Sequence, residues 1–271
     1  MELKMSSRVL SFFIHGTSAP TIEFLEEAVK CITSIFTSDL HTSSASNELI
    51  PLDLAPEASK NFNSLLEQYT VEQDRFYFQW SGNLGESSWL KAANYLIERI
   101  DEITDEEEDV DVIFIGHSHG GNVARLVAEH YAEGENKKFK FHCITIGMPL
   151  SKDPAIVMPA NVPTWQHFYC QYDMIQGMGS LLWQRLSYSF FDVVRRIEDV
   201  YQHYKIQNSV DAPVPEGWRS YMIPDDTYLK GHNDAVRASS ATFITEHVQA
   251  IFSKNLGNTD QFSDSDIYKV K

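Results

Sequence analysis

The chain has 271 residues and carries 38 Asp and Glu against 22 Lys and Arg, a formal net charge of −16. With 43% hydrophobic residues it can bury the core of one large α/β domain or two small domains. The acidity argues against a nucleic-acid-binding protein and against docking on an anionic membrane, because both need clustered Lys and Arg. The cysteines, Cys31, Cys143 and Cys170, are too few and too scattered for a disulfide framework or a zinc ribbon.

The N-terminal residues lack the shape of a secretory leader. Only six residues, 9–14, follow Arg8 before the His15-Gly16 pair. Elsewhere, no stretch approaches the roughly 18 apolar residues of a membrane span. We therefore predict a cytoplasmic protein without a transmembrane segment, although export without a cleaved leader would leave no trace in the sequence.

Short apolar runs alternate with segments of helical period along the chain. Six runs are predicted strands, at residues 9–14, 76–80, 110–115, 139–146, 164–169 and 218–223. Five segments are predicted helices, at residues 22–36, 58–69, 89–103, 122–133 and 234–252, the last with Ala235, Ala238, Ala241, Phe243, Ile244, Val248 and Ile251 on its inner side. The Ser-rich stretch 37–56 is predicted to be a loop.

Alternating strands and helices predict a mostly parallel sheet with helices on both faces, a three-layer α/β fold. The runs at 76–80 and 110–115 are nearly continuous in apolar character, which is typical of strands buried on both faces. No internal repeat and no low-complexity linker divides the chain. We expect one domain over residues 1–252, followed by a polar C-terminal tail over residues 253–271.

The sharpest motif is Gly-His-Ser-His-Gly-Gly at residues 116–121, between the third predicted strand and a helix. A serine on such a tight turn has its hydroxyl held above the edge of the sheet. The start of the next helix supplies N–H groups and positive dipole potential where an oxyanion would form. The motif therefore predicts Ser118 as a nucleophile. The flanking histidines, His117 and His119, make a poor metal site without a nearby carboxylate, so we expect neither a metal nor a cofactor.

The 116–121 segment resembles the nucleophile elbow of the α/β-hydrolase superfamily, especially its lipases and esterases. The Phe-Ile-His-Gly-Thr segment at 13–17 resembles the end of the oxyanion-hole strand in the same family. The order of elements fits from about residue 9 to residue 252, although only these two segments are specific motifs. The resemblance implies an α/β-hydrolase fold and acyl transfer through a Ser-His-Asp triad.

The remaining triad members follow from the chain order of that family, which is serine, acid, histidine. His232 lies in the loop between the last predicted strand and the last helix, where the family keeps its catalytic histidine. Asp173 ends the strand after the Gly-Met-Pro turn and is the favoured acid. Asp153, just after the preceding strand, is the competing assignment.

The resemblance also implies where a developing oxyanion would be stabilised. The expected donors are the backbone N–H groups of His119, which follows the nucleophile, and of Thr17. We place Trp80 and His15 among the substrate-binding residues, since Trp80 ends the strand beside the oxyanion strand and its ring would border an acyl pocket. The His15 side chain itself is expected to act as a structural hydrogen-bonding group.

An insertion over about residues 174–217 carries a broad apolar stripe of helical period. It fits either a helical lid over an acyl-bearing substrate or a segment packed on the core, and the sequence leaves both open. The apolar insertion, and the absence of a basic anchor for phosphate, favour a small-molecule ester or lipid substrate with a hydrophobic acyl part. A phospholipase or thioesterase of the same fold, and a non-catalytic binding protein, stay as alternatives; the sequence does not indicate an oligomeric state.

Overall fold

The computed structural model describes residues 8–16, 47–82, 86–105, 109–133, 138–149, 158–170, 218–223, 236 and 238–255. In these residues, the strands are β1 (Arg8–Ile14), β2 (Glu48–Pro51), β3 (Arg75–Gln79), β4 (Val110–His117), β5 (Phe139–Ile146), β6 (Thr164–Cys170) and β7 (Trp218–Ile223). The helices are α1 (Glu57–Lys60), α2 (Asn63–Leu66), α3 (Glu86–Ile103), α4 (Gly120–Glu133) and α5 (Ala238–Asn255), with 3-10 turns at Leu52–Leu54 and Glu72–Asp74.

All the described strands form one sheet in the order β2-β3-β1-β4-β5-β6-β7. Strand β2 runs antiparallel to β3, and every other neighbouring pair is parallel. Parallel neighbours end at the same edge of a sheet, and Ile14 at the end of β1 pairs with Gly116 of β4. This register places the His15-Gly16 pair beside the turn that follows β4.

The sheet is covered by helices on both faces. Side chains of α3 and α4 pack with one face of the sheet, and those of α2 and α5 pack with the other. Alternation along β1 supplies both cores, since Phe12 and Ile14 belong to the first and Phe13 to the second. The predicted three-layer α/β architecture, of the α/β-hydrolase type, is therefore confirmed.

Helix α3 buries the face that its sequence period predicts, with Leu96, Ile97 and Ile100 against the sheet. Helix α5 likewise buries Ala241, Ile244, Val248 and Ile251. The predicted inner side of α5 is wrong at Ala238, which is exposed at the start of the helix. The helix also runs to Asn255, three residues beyond its predicted end.

Two local predictions are wrong. Residues 48–51 form the edge strand β2 and not a loop; with Glu48 and Pro51 exposed, this short strand shows none of the alternation that marks a strand in the sequence. The predicted helix 58–69 is instead two single turns, α1 and α2, joined through the fully buried Phe62, so tertiary packing overrides the helical period. The predicted helix 22–36, the insertion 174–217 and most of the predicted tail lie outside the described residues.

Candidate active site

Ser118 occupies a strained turn between β4 and α4. Its φ of 52° makes it the one non-glycine residue with a positive φ in the described part of the chain. A left-handed backbone costs an L-residue about 1–2 kcal/mol. The turn is held from both sides, because the Ser118 N–H donates to the carbonyl of Ile146 (2.8 Å) and its carbonyl accepts the N–H of Gly121 (3.0 Å). Strain that the surrounding structure maintains in this way is typical of functional sites.

Glycines let the turn pack against its neighbours. A Cβ atom on Gly116 would lie 2.7 Å from the backbone nitrogen of Gly121, and one on Gly120 would lie 2.2 Å from the carbonyl oxygen of Ile14. Both contacts are with backbone, which cannot move aside cheaply. The motif's glycines therefore bring the start of α4 directly against the end of β1.

The Ser118 side chain is 1% exposed, and its Oγ has no hydrogen-bond partner among the described residues. Leaving a buried hydroxyl without a partner costs about 1–3 kcal/mol. Gly16 lies directly beside this hydroxyl, since a Cβ atom built on Gly16 would be 3.2 Å from the Ser118 Oγ. The predicted nucleophile and the predicted oxyanion strand end are thus brought together.

His119 lies between the serine and the first residue of α4. Its carbonyl accepts the N–H groups of Asn122 (3.0 Å) and Val123 (3.2 Å), so its peptide lies at the positive end of the helix dipole. The imidazole is buried against the ring of Trp89, with ring centroids 4.7 Å apart. The His119 N–H, the predicted oxyanion donor, belongs to the preceding peptide, whose Ser118 carbonyl is held by the Gly121 N–H. The donor role of this N–H stays a prediction.

His15 and Trp80 form a reciprocal pair of hydrogen bonds between the ends of β1 and β3. The Trp80 backbone N–H lies 3.0 Å from the His15 Nε2, and the Trp80 indole N–H donates to the His15 carbonyl (2.7 Å). The imidazole stacks on the rings of Tyr77 and Trp80, with centroids 5.7 and 5.8 Å apart. Trp80 is fully buried in the core, where its indole N–H is hydrogen-bonded to the His15 carbonyl.

The contacts of the His15 ring identify its protonation state. Nδ1 faces the Gly16 carbonyl oxygen, so Nδ1 carries the hydrogen and donates a hydrogen bond to that oxygen. Nε2, although it is also 3.1 Å from the Trp80 carbonyl oxygen, is then left to accept the Trp80 N–H. Burial lowers the pKa of His15 and favours this neutral form, against smaller opposing effects of the backbone contacts.

Thr17, Asp173 and His232, as well as the competing acid Asp153, lie outside the described residues. Within the described ranges, no three His, Cys, Asp or Glu side chains come together as a metal site. Sequence reasoning missed Trp89, whose only signal is its position near the start of the helix that precedes β4.

The family comparison follows the same segment of chain. Residues 54–176 match the family model described as Lipase (class 3), and this stretch includes the strained Ser118 turn. Over this stretch the chain is similar to the class 3 lipases, and its sheet has the α/β-hydrolase arrangement. The family resemblance on the 116–121 motif is thereby confirmed, while the triad, the oxyanion donors and the substrate stay predictions.

Two solved structures are similar over most of their length. A crystal structure of a "Putative hydrolase" from Agrobacterium vitis S4 is 12% identical with a TM-score of 0.45, covering 90% of this chain and 88% of its own. A "putative cell surface hydrolase" from Lactobacillus plantarum WCFS1 is 11% identical with a TM-score of 0.38, covering 97% and 96%. Neither likeness is close enough to carry an argument. No curated protein sequence matches this lipase-like chain.

None of the described helices of this lipase-like protein is long and apolar enough to cross a membrane.

Proposed function

We propose that the protein is a serine hydrolase that cleaves carboxylic esters with a hydrophobic acyl part. The observation that carries the proposal is the state of Ser118. Its backbone is held at a positive φ, at the start of a 14-residue helix, with a buried Oγ that has no hydrogen-bond partner among the described residues. Strain and an unsatisfied hydroxyl both cost stability, and a catalytic role accounts for both.

The first half of the reaction would form an acyl-enzyme. Ser118 Oγ attacks the ester carbonyl carbon while His232 takes the hydroxyl proton, because an alcohol at its ordinary pKa is a weak nucleophile. The tetrahedral oxyanion then collapses and the carbon–oxygen ester bond breaks. His232 returns the proton to the departing alcohol, which leaves Ser118 esterified.

The second half would restore the enzyme. A water molecule attacks the acyl carbon, and His232 takes one of its protons. The bond to Ser118 Oγ breaks, the serine oxygen regains the proton from His232, and the carboxylic acid departs. Asp173 would orient the imidazole and stabilise its cation in both halves. The N–H groups of His119 and Thr17 would donate to the oxyanion, each worth about 3 kcal/mol.

The position of Gly16 supports this arrangement of donors. Gly16 lies against the Ser118 side chain, and the next residue along the chain is Thr17. The other donor would come from the Ser118–His119 peptide just before α4, where the helix dipole favours negative charge. Two N–H groups approaching one oxygen from two strand ends would provide a preorganised environment for the transition state.

A fluorophosphonate probe tests the serine. The wild-type protein should be labelled, and Ser118→Ala should abolish labelling without unfolding the protein. Ser11→Ala is the matched control, because Ser11 is also fully buried in the sheet, where its hydroxyl lies 3.4 Å from that of Thr70. Folded wild-type protein that is not labelled would contradict the proposal and favour a binding protein of the same fold.

A pair of substitutions tests the acid. Asp173→Asn should reduce turnover about 10⁴-fold, the loss known for replacing a triad carboxylate. Asp153→Asn should leave turnover nearly unchanged. The opposite pattern would move the role to Asp153.

A series of p-nitrophenyl esters tests the substrate class. We expect kcat/KM to rise with acyl length, because longer chains bury more apolar surface, about 0.8 kcal/mol for each methylene group. Rates that are highest for acetate and vanish for longer chains would contradict a hydrophobic acyl pocket.

A further inference from the structure

We propose that Trp80 is a positioning residue for the oxyanion hole. Through His15 it holds the Gly16 backbone, whose carbonyl belongs to the peptide of the predicted donor, against Ser118. The inference rests on the proposed ester hydrolysis. It assigns Trp80 a role in turnover, whereas its sequence position suggests only a wall of the acyl pocket.

The hydrogen bonds between His15 and Trp80 join β1 and β3 just beyond their last paired residues. The pairing of β1 with β3 stops at Ile14 and Phe78. Beyond it, the Trp80 N–H donates to an imidazole nitrogen (3.0 Å) and the Trp80 indole N–H donates to the His15 carbonyl (2.7 Å). The two strand ends are thus joined by side chains in a segment where the sheet ladder no longer fixes the backbone.

The same imidazole also contacts Gly16 and so restrains its backbone. Nδ1 donates to the Gly16 carbonyl, while Nε2 is held by Trp80 and the ring is stacked on Tyr77. The orientation of the Gly16 peptide therefore depends on an imidazole held by the Trp80 backbone N–H and on a His15 carbonyl held by the Trp80 indole N–H. That carbonyl belongs to the peptide whose N–H is the predicted donor, so a rotation of the peptide moves both groups together.

Small displacements of this peptide are expected to matter. An oxyanion donor must lie about 2.7–3.1 Å from the oxygen it stabilises, and losing one donor lowers kcat by about 10²–10³-fold. Gly16 already packs closely on Ser118, which blocks movement toward the serine, and the contacts of His15 with Trp80 oppose movement away. Loosening that contact should therefore reduce kcat and leave ground-state binding unchanged.

Trp80→Phe tests the inference, with Trp165→Phe as the matched control. Trp165 is equally buried in the same hydrophobic cluster, and its indole N–H also makes one hydrogen bond, to the Thr145 Oγ1 (3.2 Å). Trp165 pairs with strands β5 and β7, away from His15. Both variants lose a buried indole hydrogen bond and should lower Tm to a similar extent.

The kinetic expectations differ between the two variants. Trp80→Phe should lower kcat at least tenfold on a p-nitrophenyl ester, with KM within twofold of wild type. The Ki of phenylboronic acid, whose serine adduct carries a tetrahedral oxyanion-like group, should rise by the same factor. Trp165→Phe should keep kcat and Ki within twofold of wild type.

Several results would overturn the inference. A kcat for Trp80→Phe within twofold of wild type would do so. Equal losses of kcat in Trp80→Phe and Trp165→Phe, in proportion to the fall in Tm, would also do so. A rise in KM that grows with acyl length would assign Trp80 to the acyl pocket instead. Wild-type protein that hydrolyses no ester would contradict the proposed function itself, which is a separate result.

If Trp80→Phe fails to fold, benzothienylalanine at position 80 replaces it in the same assays. This residue keeps the size and shape of the indole and lacks only the N–H group. The same losses in kcat and boronate affinity are expected, and wild-type values would overturn the inference.

Discussion

Gly16 and Ser118, at the ends of neighbouring parallel strands, approach so closely that a Cβ atom on Gly16 would lie 2.4 Å from the Cβ of Ser118. The same atom would lie 2.9 Å from the carbonyl oxygen of His117. The strand end after β1 and the turn after β4 therefore pack closely, and a methyl group added to Gly16 requires the serine or the strand end to move.

Gly16→Ala should lower kcat/KM strongly and the free energy of unfolding only moderately. The added methyl group forces the Ser118 hydroxyl or the β1 strand end out of place, and we expect kcat/KM to fall at least 100-fold. Overpacking of this kind costs about 1–3 kcal/mol of unfolding free energy. Hydrolysis of a p-nitrophenyl ester and urea unfolding measure the two effects.

A double-mutant cycle shows whether the Ser118 side chain is what the methyl group meets. In a Ser118→Gly background the 2.4 Å contact is absent, so Gly16→Ala should cost at least about 1 kcal/mol less than in wild type. Equal costs in the two backgrounds would show that the methyl group meets something else.

Alanine at the adjacent positions Gly120 and Gly121 should lower the free energy of unfolding by very different amounts. Gly120→Ala places a methyl group 2.2 Å from the backbone oxygen of Ile14, whereas Gly121→Ala meets the side chain of Met148, with the sulfur at 2.7 Å. A flexible thioether can move, and a strand carbonyl cannot. We expect Gly120→Ala to lower the unfolding free energy by at least about 1 kcal/mol more than Gly121→Ala. Urea unfolding of both variants decides this, and equal losses would contradict the close approach of α4 to the end of β1.

Two inactive variants of Ser118 should differ in stability. The φ of 52° is unfavourable for alanine and acceptable for glycine. Ser118→Gly should therefore be more stable than Ser118→Ala, by about 1 kcal/mol after allowing for the extra backbone entropy of glycine in the unfolded chain. Both should be inert to a fluorophosphonate. If alanine is the more stable replacement, the turn is not strained as described.

The sequence predicts those features of the site that depend on local rules. The strand, the glycines and the helix start around Ser118 are all visible in one short segment, because a sharp strand-to-helix turn needs small residues at fixed spacing. Strands buried on both faces also stand out as apolar runs, and helix α3 shows its buried face through its period.

Other features depend on contacts between distant parts of the chain. Nothing near His15 in sequence indicates that its partner is Trp80, 65 residues away, or that the Trp80 indole returns a hydrogen bond to His15. The close approach of Gly16 to Ser118 requires the register of β1 on β4, which only the folded sheet provides. Strand β2 is stabilised by pairing with β3, so its own residues give little sign of it.

The stability of the fold should depend on pH through His167 on β6. Its side chain is fully buried, and its Nδ1 is hydrogen-bonded to the Thr145 hydroxyl (3.0 Å). The same hydroxyl oxygen accepts the indole N–H of Trp165 (3.2 Å). Burial lowers the pKa of His167 from 6.5 to about 3. The folded protein therefore keeps this ring neutral where the unfolded chain would protonate it.

The sign of the effect follows from which state binds the proton. Well above pH 6.5 the ring is neutral in both states and contributes no pH dependence. As the pH falls from 6.5 toward 3, only the unfolded chain gains the proton, so the unfolding free energy should decrease by up to about 1.4 kcal/mol for each pH unit. His167→Asn, whose amide oxygen can accept the Thr145 hydroxyl, should lose this dependence. Urea unfolding is measured at pH 9, 8, 6, 5 and 4. The difference in unfolding free energy between wild type and variant should be the same at pH 9 and 8, and wild type should lose more below pH 6. Parallel curves throughout would show that His167 does not titrate differently on unfolding.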